Sequence, residues 1–461
     1  MTNTASINPS SPLPELASGF FAGQSITELG DRLRDRSLTS RALIERTLAA
    51  AVRLNPILNC FVSIEQKEAL AAAEKADAEL SKGFDRGPLH GIPVAIKDII
   101  DVARKVTTSG SALFADRIAA SDATCVARLR AAGAVLMGKT VLHELAYGIT
   151  GDRSLHGASR NPHDPTKMSG GSSGGSAVAV AAGLVPLALG TDTAGSIRVP
   201  AALCGVVGYK PAFDAIPTDG VHPLASSLDH VGVFARTARD ALLAYEILAD
   251  QRVAGEPMAQ DHCVGWVAPA PFGPVDPAIT SGGLDVLRLA GVEPQSIAFD
   301  EIEDLSGIFS AIQSSEAHLA HRADLQHASP PIDPEVRERL ARGGEVPAWR
   351  YLQAMQARRR LSEQAHRLLE GFDVLAMPSV PTTAPRIGER SPMVDGVVVE
   401  VRAALLSLTC LWNLIGLPAL TIPAGTTDGL PFGLQLVGAP DRDRALFDFA
   451  QRIESAVRIA A

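Results

Sequence analysis

Residues 169–190 read SGGSSGGSAVAVAAGLVPLALG. The first eight positions hold only glycine and serine, a composition ordinarily found in flexible linkers. Linkers do not run straight into apolar sequence, yet here a small-residue segment over 177–182 and a strand-like run over 184–189 follow at once. Read as loop, close-packing helix and buried strand, the stretch puts residues without side-chain bulk inside a core and gives the alternation of an α/β protein.

The pattern extends in both directions. Upstream, apolar residues recur at helical spacing over 25–54 and 65–81, Gly87-Pro88 breaks the period, and HGIPVAIKDII (90–100) reads as a short buried strand. A helix over 122–132 and a strand over 134–137 come next. Downstream, CVGWVAPA (263–270) reads as a strand, 278–290 and 337–370 as helices, and the Pro-rich MPSVPTTAP (377–385) and ERSPMVDG (389–396) as loops. PALTIPAG, GLQLVGA and 445–456 read as strand, strand and helix. The expectation is one large α/β domain over 16–461, a central mixed β-sheet covered by helices on both faces, with residues 1–15 polar and disordered.

Composition narrows the function. The 461 residues are 46% hydrophobic and 20% charged, enough apolar material for a large core. A net charge of -9, from 51 acidic and 42 basic residues, offers no basic stripe for a nucleic acid. Cys60, Cys125, Cys204, Cys263 and Cys410 are scattered and lack C-x-x-C spacing, so they read as thiols of a reducing compartment, neither a disulfide framework nor a zinc cage. No basic n-region with an apolar h-region and no 18-residue apolar run is present, and the expectation is a cytoplasmic protein without membrane association.

Three local motifs are decoys. GAVLMGKT (133–140) fits a phosphate loop letter for letter, but AVLM is itself a strand where flexible polar residues are needed. GGSSG matches the nucleophile elbow, which requires a strand immediately before the serine, whereas NPHDPTKM is loop sequence. His143-Glu144 lacks a second histidine, and His318 and His321 lack a ligand cluster, so no metal is expected.

What remains is three elements with polar residues where a core would not place them. Lys97 ends the strand of GIPVAIKD; it either leaves the strand end for solvent or is buried. An ordinary lysine, with a pKa near ~10.4, is neutral in roughly one molecule in a few thousand at pH 7, and desolvation worth about 4 kcal/mol raises that fraction roughly a thousandfold. Asp98 would oppose this if it paired with Lys97, but neighbours on a strand point to opposite faces. The second element is the Gly/Ser stretch, otherwise a plain surface loop. The third is GTDTAGSIRVPAALCG (190–205), otherwise an ordinary loop, whose small residues can direct several backbone N–H groups into one concavity beside the Ser196 hydroxyl.

In their order and spacing these elements resemble the amidase signature family, whose members use a Ser-Ser-Lys triad. The resemblance runs from about Ser25 to the end, including SLDHVGVFART (227–237), FDVLAMPSVPTTAP (372–385), NLIGLPALTIPAG (413–425) and LPFGLQLVG (430–438), and Ser196 follows Ser172 by 24 residues. It implies Ser196 as nucleophile, Lys97 as general base, and Ser172, after a cis peptide bond, as the serine that passes the proton. The N–H groups of Thr193, Ala194, Gly195 and Ser196 would hold an oxyanion. Many members read D-x-G-G-S where this chain reads D-T-A-G-S, so the Ala194 methyl narrows the pocket.

The implied reaction is hydrolysis of the C(=O)–N bond of small-molecule amides, with carbamates (urethanes), anilides and biuret-like ureas in chemical reach, by a monomer or homodimer without metal or cofactor. Met168, Gly170, Gly171, Tyr147 and Trp412 are candidate substrate-binding residues, Trp412 being equally readable as core. The region 251–345 and the loop 409–413 are expected to contribute to the pocket. The competing readings are the glutaminase-type component of a tRNA-dependent amidotransferase and an allophanate- or biuret-type hydrolase; a binding protein on the same fold would have no need of all three polar positions.

Overall fold

A computed structural model describes residues 19–253, 263–299, 302, 304–326 and 331–460. The disorder expected for 1–15 lies outside these residues. The strands are β1 (Phe61–Ile64), β2 (Pro93–Lys97), β3 (Val135–Thr140), β4 (Leu187–Asp192), β5 (Val207–Lys210), β6 (His230–Ala235), β7 (Val264–Val267), β8 (Gln295–Ile297), β9 (Val374–Pro378), β10 (Met393–Val394), β11 (Val397–Val398), β12 (Ala419–Thr427) and β13 (Leu430–Val437). Eleven of them form one sheet in the order β1-β3-β2-β4-β6-β5-β12-β13-β9-β7-β8, while β10 and β11 pair separately. Pairing is parallel for β2 with β3 and β4 and for β7 with β8 and β9, and antiparallel elsewhere, so the sheet is mixed as expected.

Period-two alternation splits the core. Val94 and Ile96 of β2, Leu187 and Leu189 of β4, and Val233 and Ala235 of β6 belong to the larger apolar cluster. Ala95, Ala188 and Phe234, the residues between them, belong to a second cluster with the helices Ser40–Leu58 and Gly174–Ala181. At β2 and β4 the second face therefore presents the small residues Ala95 and Ala188 to the Gly174–Ala181 helix, with Phe234 beside them on β6.

That helix begins inside the Gly/Ser run, and Ser169, Ser172, Ser173 and Ser176 are all fully buried. A Cβ on Gly175 would come within 2.5 Å of the Cys60 carbonyl oxygen and 2.6 Å of the Val141 nitrogen; one on Gly171 would meet the Gly151 nitrogen at 2.7 Å. The run is a seam of backbone-to-backbone contact, and any side chain would force two fixed chains apart.

Several elements differ from the sequence reading. The segment 25–54 is two helices, Ile26–Arg34 and Ser40–Leu58, and 337–370 resolves into Pro334–Gly343 and Ala348–Gly371. MPSVPTTAP begins inside β9, and ERSPMVDG supplies β10 of a short hairpin. Strands β1, β5, β6 and β8 and the helix Leu305–Ala320 add to the elements expected from the pattern. Cys60, Cys125, Cys204 and Cys410 are buried free thiols and Cys263 is half-buried. No helix of the described residues is long and apolar enough to cross a membrane.

Gly175→Ala is expected to lower stability by about 1–3 kcal/mol, because both clashing groups are backbone and cannot rotate away. Denaturant unfolding monitored by circular dichroism checks this; a midpoint equal to that of the parent protein would contradict the close approach.

Candidate active site

Lys97 closes β2 on the face that Ala95 shares, the side on which the Gly/Ser segment lies. Its ammonium is fully buried, with Nζ donating to Ser172 Oγ at 2.8 Å and to Thr191 Oγ1 at 2.6 Å. Burial pushes its pKa down to about 7, against the opposing pull of the Asp192 and Asp229 carboxylates. Asp98 points the other way, as strand alternation requires. It pairs with Lys139 Nζ at 2.8 Å and accepts from Thr108 Oγ1 at 2.5 Å. Lys139 is the lysine of the phosphate-loop decoy, whose positions 135–140 are the strand β3 where a phosphate loop would have to run.

Ser172 follows a cis Gly171–Ser172 peptide. The segment is fastened to β4 by Ser173, whose Oγ donates to the Thr191 carbonyl at 3.1 Å and accepts from the Thr191 N–H at 3.2 Å. Ser173 N–H also donates to the Ser196 carbonyl at 3.2 Å, which brings the second serine loop against the first. The Ser196 hydroxyl has no hydrogen-bond partner among the described residues and opens into a small pocket that is open to solvent, lined also by Tyr147, Ile149, Ala194, Gln313, Arg402 and Leu406.

The loop carrying Ser196 is wrapped around one carboxylate. Asp192 Oδ1 accepts from Gly195 N–H at 2.7 Å and Oδ2 from Ile197 N–H at 3.1 Å. Arg198 forms a two-pronged pair with the same carboxylate, Nη2 to Oδ1 at 3.0 Å and Nε to Oδ2 at 3.1 Å, and both side chains are completely buried. Asn413 Nδ2 donates to Asp192 Oδ1 at 2.8 Å, and Gln435 Oε1 accepts from Arg198 Nη1 at 2.6 Å. The guanidinium holds the Asp192 carboxyl far below the usual carboxylate range despite its burial.

The residues expected from the sequence fall into two groups. Lys97 and Ser172 are in direct contact, and Ser196 lies on the adjoining loop. Of the four N–H groups expected at an oxyanion site, Gly195 is corrected: its N–H is consumed by Asp192. Those of Thr193, Ala194 and Ser196 have no protein acceptor among the described residues. Tyr147 lines the cavity, whereas Met168, Gly170, Gly171 and Trp412 do not. Met168 is fully buried, its N–H bound to the Pro385 carbonyl at 2.9 Å. Gly170 packs on Pro200, Gly171 on Gly151, and Trp412 is core, edge-on to Phe299 at 5.8 Å. Thr409 and Asn413, expected as pocket wall, instead brace the serine loop, Thr409 Oγ1 donating to the Ala194 carbonyl at 2.6 Å. Sequence reasoning missed Thr191, Asp192, Arg198, Gln313, Arg402 and Gln435. Arg198 carried a usable signal, since an arginine amid SI-R-VPAALCG is either exposed or paired. The described residues contain no group of three or more His, Cys, Asp or Glu placed to hold a metal ion.

A family model described as Amidase matches residues 42–263 and 272–447. The chain belongs to the amidase signature family. Members of this family hydrolyse carbon–nitrogen bonds of amides. The chain is 36% identical to a glutamyl-tRNA(Gln) amidotransferase component of Aromatoleum aromaticum, covering 94% of this chain and 97% of the relative. It is 34% identical to AtzE, a component of the 1-carboxybiuret hydrolase of Pseudomonas sp. (strain ADP), covering 87% and 92%. A solved structure described as an amidase superposes with a TM-score of 0.89 at 33% identity, over 94% of this chain and 99% of that one. The mixed α/β sheet is thus the architecture of this amidase fold.

Breaking the buried pair by Arg198→Met leaves the Asp192 carboxylate uncompensated, and we expect a loss of about 3–5 kcal/mol in stability. A thermal unfolding curve superimposable on that of the parent would contradict that role.

Proposed function

We propose that this amidase cleaves small-molecule amides through Ser196 as nucleophile, Ser172 as proton bridge and Lys97 as general base. The observation that carries the reading is the sealed Lys97–Ser172 contact, an amine made partly neutral at physiological pH by burial and held 2.8 Å from a hydroxyl. In its neutral form Lys97 accepts the Ser172 proton while Ser172 takes that of Ser196, whose oxygen bonds to the amide carbonyl carbon. The relay requires the free Ser196 hydroxyl to turn onto Ser172, a contact of the kind that tightens when substrate binds.

The negative charge that develops on the carbonyl oxygen is received by the unpaired N–H groups of Thr193, Ala194 and Ser196. The proton then returns through Ser172 to the leaving nitrogen, the C–N bond breaks, and water attacks the acyl-enzyme by the same route to release the acid. Carbamates, anilides and biuret-like ureas present the same carbonyl–nitrogen bond and fall within this chemistry. A second reading, the glutaminase-type component of an amidotransferase, is favoured by the names of the relatives at 34–36% identity. Amide hydrolysis by the isolated chain supports the first reading; glutamine turnover only beside a tRNA-binding partner supports the second.

Ser196→Ala is expected to abolish turnover with an unchanged unfolding midpoint, and Lys97→Ala to lose most activity at neutral pH. Near-parental rates from either variant would overturn the triad. The active form is the deprotonated amine, so the rate should rise with pH through about 7 and level off above it, falling roughly tenfold per unit on the acid side. Single-turnover rates from mildly acidic to mildly alkaline pH give the profile; a flat line would assign the base to another group.

A further inference from the structure

Two arginines beside the Ser196 cavity make no direct salt bridge among the described residues. Arg402 lines that cavity, and its Cζ lies 5.7 Å from the centre of the Tyr147 ring; Arg339 Cζ lies 5.5 Å from the same ring. Arg402 Nε and Arg339 Nε and Nη2 are buried without a hydrogen-bond partner. The side-chain contact that the pair does make among the described residues is Arg402 Nη2 donating to Gln313 Oε1 at 2.9 Å, and Gln313 lines the cavity too. A ring face attracts a guanidinium but accepts none of its in-plane N–H bonds in good geometry.

The neighbouring carboxylates are spent elsewhere. Glu335, one helical turn before Arg339, binds Arg153 and Arg390 instead. Asp152 binds Arg390 at 2.8 Å. Glu400 caps the helix Val401–Ser407 by accepting from the Arg402 and Ala403 N–H groups, and Glu316 accepts from Ser227 and Tyr351. No salt bridge within 4 Å joins Arg339 or Arg402 to a carboxylate among the described residues. Two like charges over one aromatic ring repel: burial and then Arg402 lower the pKa of Arg339, against the weaker opposing pull of Tyr147, Glu335 and Asp333. Partly buried guanidinium groups whose N–H bonds find no direct acceptor are costly, and a planar oxyanion supplies what they lack: negative charge and acceptors in the geometry of the guanidinium edge.

We propose that Arg402 and Arg339 form a carboxylate subsite at the rim of the Ser196 cavity, so that the amide cleaved by this enzyme carries a carboxylate within a few bonds of its scissile carbonyl. This rests on Ser196 being the nucleophile. Gln313 orients Arg402, and Tyr147 is the shelf that both cations share. The subsite selects substrate by charge and takes no part in proton transfer.

The test compares kcat/KM for matched charged and neutral amides with the intact chain. On the acyl side the monoamides of malonic, succinic and glutaric acid are set beside their diamides; on the amine side N-acetylglycine is set beside N-acetylethanolamine. At least one charged member should exceed its neutral partner tenfold or more through a lower KM. Arg402→Gln and Arg339→Gln should each reduce that ratio at least tenfold, with Arg402→Lys restoring part of it. Neutral partners cleaved as well as all charged ones, or a ratio untouched by either substitution, would overturn the subsite while leaving the nucleophile in place. The two ideas separate through Ser196→Ala: calorimetric binding of the best dicarboxylic monoamide to that variant, abolished by adding Arg402→Gln, supports the subsite whether or not Ser196 performs the chemistry. Binding that Arg402→Gln leaves unchanged counts against it.

Discussion

The buried pair between Asp192 and Arg198 is the interaction on which the site depends. Removing two charges from water costs more than their mutual attraction commonly returns, so such a pair is poor evidence of stabilisation and good evidence of a fixed geometry. Here each remaining hydrogen-bonding position is filled, by Gly195 and Ile197 N–H on the carboxylate and by Asn413, Gln435 and the Thr409 carbonyl around the two side chains. The partners come from β4, the helix Arg198–Cys204, the helix Cys410–Leu414 and β13, so one carboxylate ties the Ser196 loop to elements far away in sequence. The same charge acts on Lys97. The Asp192 carboxylate favours the ammonium while desolvation opposes it, and the balance lies near neutrality. An Asp192 without Arg198 would pull harder on the amine, which couples the shape of the loop to the protonation of the base.

Burying an amine this fully requires that little else occupy the space around it. The Gly/Ser seam meets this condition by letting backbone lie on backbone: Gly175 against Cys60 and Val141, Gly171 against Gly151. Small residues continue into Ala95 and Ala188 on the sheet and into the helix Gly174–Ala181, so the face around Lys97 closes at short range. Serine is the one bulkier residue the seam contains, and its hydroxyls are put to use. Ser176 donates to the Leu189 carbonyl at 2.8 Å, Ser173 clamps Thr191, and Ser172 meets Lys97.

Much of this was legible in residues 169–190, because loop, helix and strand follow each other there and their patterns are local. Lys97 and Asp98 were readable for the same reason, strand alternation being a property of two adjacent positions. What the sequence could not supply was pairing at a distance. Strands β5 and β6 are short, with glycines at Gly208 and Gly232 interrupting the apolar pattern, and their identity as strands comes from neighbours β12 and β4. Nothing local connects Arg198 to Asn413 and Gln435, or Arg402 to Gln313, since each is an ordinary polar residue until the fold buries it. The two open readings of Trp412 have the mirror cause: a large aromatic suits a pocket wall and a core equally, and its burial against Phe299 makes it core.

An oxyanion site makes opposed demands on a loop, which must be rigid while its donors stay unpaired. In 192–197 the two are reconciled by fixing the groups around the donors. The Thr193 side chain is held by Asp229 at 2.6 Å, the Ala194 carbonyl by Thr409 at 2.6 Å, the Gly195 N–H by Asp192 at 2.7 Å and the Ser196 carbonyl by Ser173 at 3.2 Å. The N–H groups of Thr193, Ala194 and Ser196 are what is left over. A donor already aligned gains its full interaction as charge forms, without reorganisation, and the loss of one such donor is worth about 2.7–4 kcal/mol in an acyl-transfer transition state. Gly195 is therefore part of the scaffold of this loop, and its departure from the expected set of donors is the condition under which the other three can serve.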